Sequence, residues 1–318
     1  MNSSLLNFFK SKKIPGATIT VPAPEIYEQA LTVFNRLRSS ALLPQDIANP
    51  SEVQFDGRLE WVEAMLDSDT VHDDDYAVFG MLPKSKALVL DIGANYGYSV
   101  SSLRSSGLTN PILSFEVLPG YAAALEIVKK RLPVDYDFVI SGVGSEAGSL
   151  DFYTPVVGKV ALTALTSARA SALTEHEAHW FAKSVESNVQ SYPSPLFEDF
   201  RFTILKTVAK VDRIDNMLKN YSGALDVSRV AAMKIDVEGL EYDVLLGAAE
   251  TIKKHRPLLM LEGANRSPRV KNLVDSWGYA TADLVNIKLE IIDGISTQVN
   301  GFFIHPKGVI PKGFNFRC

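Results

Sequence analysis

One stretch limits what this chain can fold into more than any other: Lys86 to Val100, reading Lys-Ala-Leu-Val-Leu-Asp-Ile-Gly-Ala-Asn-Tyr-Gly-Tyr-Ser-Val. Ala87 to Leu90 form a short apolar run without alternation, the pattern of a strand covered on both faces in a parallel sheet. Asp91 closes that run. Gly93 and Gly97 then bracket a tight turn, and Tyr98, Val100 and Leu103 begin a helical spacing that stops at Gly107. A strand, a glycine turn and a helix start bring backbone N–H groups and the positive end of a helix dipole to one place. Dinucleotides and S-adenosylmethionine both suit such a turn. The dinucleotide fingerprint needs glycine two places after its first, so that the backbone can approach a pyrophosphate. Here that place holds Asn95. Asp91 suits the ammonium group of a methionine moiety, whose carboxylate would take the turn N–H groups. The methyl donor is therefore the expected ligand of Asp91, Gly93, Asn95 and Gly97.

The whole chain sets wider bounds. Its 318 residues suffice for one large α/β domain or for a domain with an appendage. A composition 46% hydrophobic and 22% charged supports a sizeable core. The net charge of −5, from 32 basic and 37 acidic residues, lacks the basic footprint of a nucleic-acid surface. Cys318 is the only cysteine, which excludes an internal disulfide and a multi-thiolate zinc site. Near the start, the lysines follow the apolar patch Leu5, Leu6, Phe8 and Phe9, the wrong order for a secretory signal. No apolar run approaches transmembrane length. A cytoplasmic protein without stable membrane insertion is expected.

Taken in order, Ala23 to Leu43 reads as an amphipathic helix with Ile26, Ala30, Leu31, Phe34 and Leu37 on one stripe. Residues 1–80 read as an N-terminal helical cap. Residues 81–318 read as a Rossmann-like domain with an insertion at about 154–200. The acids Asp73, Asp74 and Asp75 read as a solvated loop before a helix. Strands are expected at Pro111 to Glu116, Tyr136 to Ile140, Phe202 to Val211, Val230 to Asp236 and Pro257 to Glu262. Leu240, Val244, Ala248 and Ile252 recur every four residues on one following helix. Tyr279 to His305 offers two β-rich segments around Asp293-Gly294, a hairpin signal. The whole describes an α/β fold, a mostly parallel doubly wound sheet closed by an antiparallel C-terminal hairpin.

In such a sheet, ligands bind at the carboxyl ends of the strands. Asp91, Glu116, Asp236 and Glu262 each end a strand and form an acidic rim. Glu116 lies 25 residues after Asp91, about the separation at which an acid reaches ribose hydroxyls. Lys234, inside a buried run, needs a partner among the rim acids. His176 and His179, three apart on an expected helix, read as surface residues, and no metal site is expected.

The motifs Asp91-Ile92-Gly93-Ala94-Asn95-Tyr96-Gly97, Ser114-Phe115-Glu116, Lys234-Ile235-Asp236-Val237-Glu238-Gly239 with Glu241, and Arg256-Pro257 with Glu262 together resemble the FkbM family. The resemblance implies a class I Rossmann-like fold and an S-adenosylmethionine-dependent methyltransferase acting on hydroxyl oxygens of sugars, glycolipids or polyketides. It also implies that the glycine turn and Glu116 hold the cofactor, that Ser141 and Gly142 lie near the adenine, and that Asp236 to Glu238 face the transferred methyl. Asp236 or Glu238 is the expected proton acceptor. The dipole of the helix after Gly239 is expected to keep both ionised, although two close acids would instead raise one of them. Val117 departs from the proline usual after the Phe-Glu pair. The long 154–194 segment reads as a lid or a homodimer contact. A nicotinamide-dependent oxidoreductase and a silent binding protein on the same fold are the competing readings.

Overall fold

The computed structural model describes residues 23–55, 59–68, 71–132, 136–168, 182, 185, 201–263, 267–286, 288–296 and 298–314. In chain order the first strands are β1 (Gln54–Phe55), β2 (Leu88–Ile92), β3 (Ile112–Glu116), β4 (Tyr136–Ile140) and β5 (Gly142–Val143). Then come β6 (Gly148–Val157), β7 (Val160–Ala161), β8 (Phe202–Asp212) and β9 (Val230–Ile235). β10 (Leu258–Glu262), β11 (Ala280–Val285), β12 (Lys288–Ile291) and β13 (Asn300–Ile304) complete the set.

The chain divides into two compact units. The first comprises residues 3–57 and 150–209, and the second residues 58–149 and 210–318. The boundary thus falls at 57/58 rather than near 80, and the described part of the expected insertion shares a unit with the N-terminal segment. Packing explains the grouping. The helix Ala23–Arg38 turns Ile26, Ala30, Val33, Phe34 and Leu37 onto Val157, Val160, Phe202 and Ile204. Phe34 and Phe202 meet with ring centroids 5.5 Å apart. Ala182 and Val185 are buried in the same cluster. The rest of the segment around them, including Thr174, Trp180 and the pair His176 and His179, lies outside the described residues.

The second unit holds an eight-stranded sheet in the order β12-β11-β13-β10-β9-β2-β3-β4. From β10 to β4 every pairing is parallel. β13 runs antiparallel between β10 and β11. β2 is fully buried, as its unbroken apolar run requires. One core cluster contains Val89, Val100, Ile112 and Met260, and another Leu90, Leu113, Met233 and Val244. Strand order reverses at β2, whose neighbours are β3 and β9. The carboxyl ends of β2, β3 and β9 therefore open onto the topological switch point, where open α/β sheets bind ligands.

The C-terminal part differs in detail from the expected hairpin. Three strands form there, and the tight connection joins β11 to β12 after Asn286, which has a left-handed φ of 50°. Asp293-Gly294 instead lies on the way from β12 to β13. The expected single helix after Gly239 is two, Glu241–Gly247 and Ala249–His255.

Candidate functional site

The turn after β2 is built by three left-handed residues: Gly93 (φ 85°), Asn95 (φ 53°) and Gly97 (φ 86°). Gly93 is required by proximity as well as conformation. A Cβ there would lie 1.8 Å from the carbonyl oxygen of Asp236, whose own N–H donates to Ile92 O at 3.0 Å. The turn is thereby locked to the end of β9. Its amides are all committed within the protein, contrary to the expected anion cradle. Gly93 and Ala94 donate to Phe115 O, and Gly97 donates to Ala94 O. Asn95 N donates to Glu116 Oε2 at 2.8 Å, and Tyr96 N donates to Asn95 Oδ1 at 2.8 Å.

Glu116, 6% exposed at the end of β3, also accepts the Leu118 N–H at 2.8 Å on its other oxygen. Burial pushes its carboxyl up, while the amides of Leu118 and Asn95 pull the other way. A carboxylate offers about four lone-pair positions, so about one remains beyond the amides of Leu118, Asn95 and Val117. Glu116 both fixes the turn and keeps acceptor capacity for a hydroxyl. Ser141 follows β4, half-buried, and Gly142 is buried. A Cβ on Gly142 would come within 2.6 Å of Val211 and 3.0 Å of Val117, so its smallness serves packing.

Asp91 has a different role from the one its position suggests. It is fully buried, and Ser99 Oγ and Ser114 Oγ each donate to its Oδ2 at 2.8 Å. Its other oxygen lies 3.6 Å from Lys234 Nζ. Interior hydroxyls thus take up one oxygen of the carboxylate that was expected to meet a ligand ammonium, while the buried Oδ1 accepts no hydrogen bond among the described residues and faces the Lys234 ammonium. Lys234, 4% exposed, is the organising cation of the rim. Its Nζ donates to Gly93 O at 2.9 Å and lies 3.3 Å from Asp236 Oδ2. Burial alone would lower its pKa, but the surrounding Asp236, Tyr76, Asp91 and Glu262 hold it above the ordinary lysine value.

Asp236 is half-buried, just past β9. Burial works to raise its carboxyl, yet Lys234 and a hydrogen bond with Glu262 hold it below the usual carboxylate range. Glu238 is exposed as a residue and adopts a left-handed φ of 50°, uncommon for a side chain of its kind. Crowding around its carboxyl, then the charges of Asp236 and Glu241, push it up. The helix dipole does not keep both acids ionised. The seven-residue helix begins only at Glu241, and proximity of like charges prevails. Glu262 is pushed up to about 9 by Asp236, then by burial and the shared hydrogen bond.

Sequence reasoning missed two neighbours of this rim. His72 precedes the acidic loop; its Nδ1 lies 2.5 Å from Ser102 Oγ and its ring packs 4.6 Å from Tyr76. Burial, then the charge of Lys234, push it down to about 4. Asn300, 5% exposed, donates to Asp73 Oδ2 at 3.0 Å and Asp75 Oδ2 at 2.9 Å. Those two acids are therefore structural partners and not a purely solvated run. Burial and the nearby acids push Asp75 up to about 6. No group of three or more His, Cys, Asp or Glu able to hold a metal occurs among the described residues. His255, the last residue of the helix Ala249–His255, is pushed down by burial and by Lys254 and Arg229.

A parallel sheet reversing at β2, one antiparallel strand inserted beside β10, and a glycine turn locked to the neighbouring strand define a class I Rossmann-like methyltransferase fold. The chain belongs to the FkbM methyltransferase family, whose domain model matches residues 91–279, more than half of it. Among solved structures it is similar to the methyltransferase FkbM from Methylobacillus flagellatus KT, at 14% identity and a TM-score of 0.39, covering 86% of this chain and 59% of that one. This chain thus spans less than two thirds of that protein. It is also similar to an O-methyltransferase from Bacillus cereus in complex with SAH, at 10% identity and a TM-score of 0.33, covering 95% and 97%. A SAM-dependent O-methyltransferase from Thermotoga maritima matches at 9% identity and a TM-score of 0.32, covering 85% and 69%. No curated protein matches the sequence. Family membership makes S-adenosylmethionine the cofactor, and the free acceptor capacity of Glu116 beside the switch point fits its ribose.

Proposed function

We propose that this chain transfers the methyl group of S-adenosylmethionine to a hydroxyl oxygen on a sugar, glycolipid or polyketide-like small molecule. The observation that carries the reading is the acid pair at the carboxyl ends of β9 and β10. Asp236 is held ionised by Lys234 and stands beside the turn that frames the cofactor region. Bound there, the cofactor supplies an electrophilic methyl group on a sulfonium. Glu116 would accept a ribose hydroxyl, Ser141 and Gly142 would border the adenine, and Gly93, Asn95 and Gly97 would shape the floor. Asp91 acts from behind, through Lys234, by fixing the rim. The chain's own work is to align a hydroxyl in line with the methyl carbon and to accept its proton at Asp236 or Glu238.

The rim gathers acids around a buried lysine, a setting that favours neutral hydroxyls over anionic acceptors; with the net charge of −5 it does not suit nucleic acid. No helix among the described residues is long and apolar enough to cross a membrane. A cytoplasmic location and a homodimer complete the proposal. Titration calorimetry with S-adenosylmethionine, its demethylated product and NAD tests the cofactor. Binding of the first two without NAD is expected, and NAD alone would overturn the reading. Single-turnover transfer by Asp236→Asn and Glu238→Gln tests the base, with a loss on the order of 10²-fold expected in at least one. Wild-type rates in both would place the base elsewhere.

A further inference from the structure

We propose that Asp236 and Glu262 share one proton across the ends of β9 and β10, and that Glu262 thereby positions Asp236 to receive the acceptor hydroxyl. The proposal rests on the methyl-transfer reading above. Its ground is the placement of the two strands. β9 and β10 are parallel, with Leu261 opposite Ile235. The next residue of each chain segment, Glu262 and Asp236, therefore emerges side by side at the carboxyl edge. Their carboxyl groups act on each other there. Two adjacent carboxylates repel when both are ionised, and a single proton held between them relieves that repulsion.

The surroundings decide which one. Lys234 Nζ lies 3.3 Å from Asp236 and 3.6 Å from Asp91, so a single buried cation is shared by two acids. The charges of Asp236 and Glu238 both act on Glu262. Across β13 its register partner is Asn300, which holds Asp73 and Asp75. Tyr76 and His72 border the same rim, where His72 is pushed to its neutral form. Negative charge outweighs positive around Glu262, so the proton resides there and its O–H donates to Asp236.

With its one proton committed between the two acids, the pair leaves Asp236 an acceptor edge. That edge matches the O–H of a neutral hydroxyl and disfavours carboxylate or phosphate groups, which bring only acceptor atoms and negative charge. In the transfer, the hydroxyl oxygen forms its bond to the methyl carbon as the carbon–sulfur bond breaks. The bonding pair leaves with the sulfur and cancels its positive charge. The hydroxyl proton passes to Asp236, leaving both acids protonated until one proton returns to water. Glu262 is thus a positioning residue that sets the Asp236 rotamer.

The test is a ¹³C NMR titration of the full chain, labelled at the Asp and Glu carboxyl carbons, with neither methyl donor nor acceptor present. Among the raised glutamate signals, one is expected to stay protonated through about pH 7, well above the ordinary value near 4.3. It should vanish in Glu262→Gln, remain in Glu238→Gln, and drop toward the ordinary range in Asp236→Asn. In Glu262→Gln the new side-chain amide would still donate to Asp236, which should stay ionised. If no elevated signal is lost in Glu262→Gln, the shared proton is refuted. Should that variant not fold, Asp236→Asn decides alone: a fall of the elevated titration supports the pair, and its persistence overturns it. Cofactor binding is read separately by calorimetry, so loss of the methyltransferase reading and loss of the shared proton are told apart.

Discussion

At the scale of single residues, Lys234 shows how one buried cation can organise a rim. Asp91 is fully buried and Asp236 half-buried, and both depend on the same Nζ. Removing one partner of a buried ion pair leaves an uncompensated charge, which costs about 3–5 kcal/mol. Lys234→Met keeps the volume and deletes the charge. It should lower the unfolding free energy by about that amount in urea denaturation, and it should also release Gly93 O from its donor. Glu116 couples two tasks in the same way. Glu116→Ala strands the Asn95 and Leu118 amides and removes the ribose acceptor. Cofactor binding should weaken by about 1–3 kcal/mol, read by calorimetry on the folded variant. Unchanged affinity would remove the ribose assignment while leaving the loop-fixing role intact.

Elements were legible where periodicity is local and opaque where contacts are distant. The run Leu88–Ile92 and the turn after it were readable because burial on both faces and positive φ leave marks on consecutive residues. The break between Glu241–Gly247 and Ala249–His255 left none, since Leu240, Val244, Ala248 and Ile252 keep one stripe through it. Gly247, the last residue before the break, meets a partner far away in the chain. A Cβ on Gly247 would stand 1.9 Å from the Gly144 carbonyl oxygen. Backbone approaches that closely only where no side chain intervenes. Gly247→Ala should raise helix propensity yet destabilise the fold by about 1–3 kcal/mol or more, the range for overpacking, with a lower urea midpoint as the readout. Gly107→Ala separates the two costs: its φ of 91° is left-handed, unlike that of Gly247, and among the described residues nothing lies within 4 Å of the added Cβ, so any loss there is backbone strain alone. The same limit hid His72 and Asn300, whose partners Ser102, Asp73 and Asp75 are distant in sequence. It also concealed the inward turn of Asp91, because an acid at a strand end reads alike whether it faces ligand or core.

At the scale of the whole molecule, every residue argued to touch cofactor or acceptor belongs to the second unit, residues 58–149 and 210–318. The first unit interrupts it between Ser149 and Lys210. That interruption falls beside a pairing that remains within the second unit, β5 Gly142 and Val143 against Val211 and Asp212 of β8. Both sides of the gap are thus anchored to the same local ladder, and a short flexible linker adds only slowly growing closure entropy. A chain of residues 58–149 joined through a Gly-Ser linker to 210–318 should therefore fold and bind S-adenosylmethionine within about tenfold of the full chain, or about 1.4 kcal/mol. Its thermal midpoint should rise with cofactor concentration, as binding to the folded state alone requires. Acceptor turnover is the discriminating measurement. Retained binding with lost turnover would assign acceptor recognition to residues 3–57 and 150–209, and loss of both in a folded chain would mean that the cofactor site draws on the first unit as well.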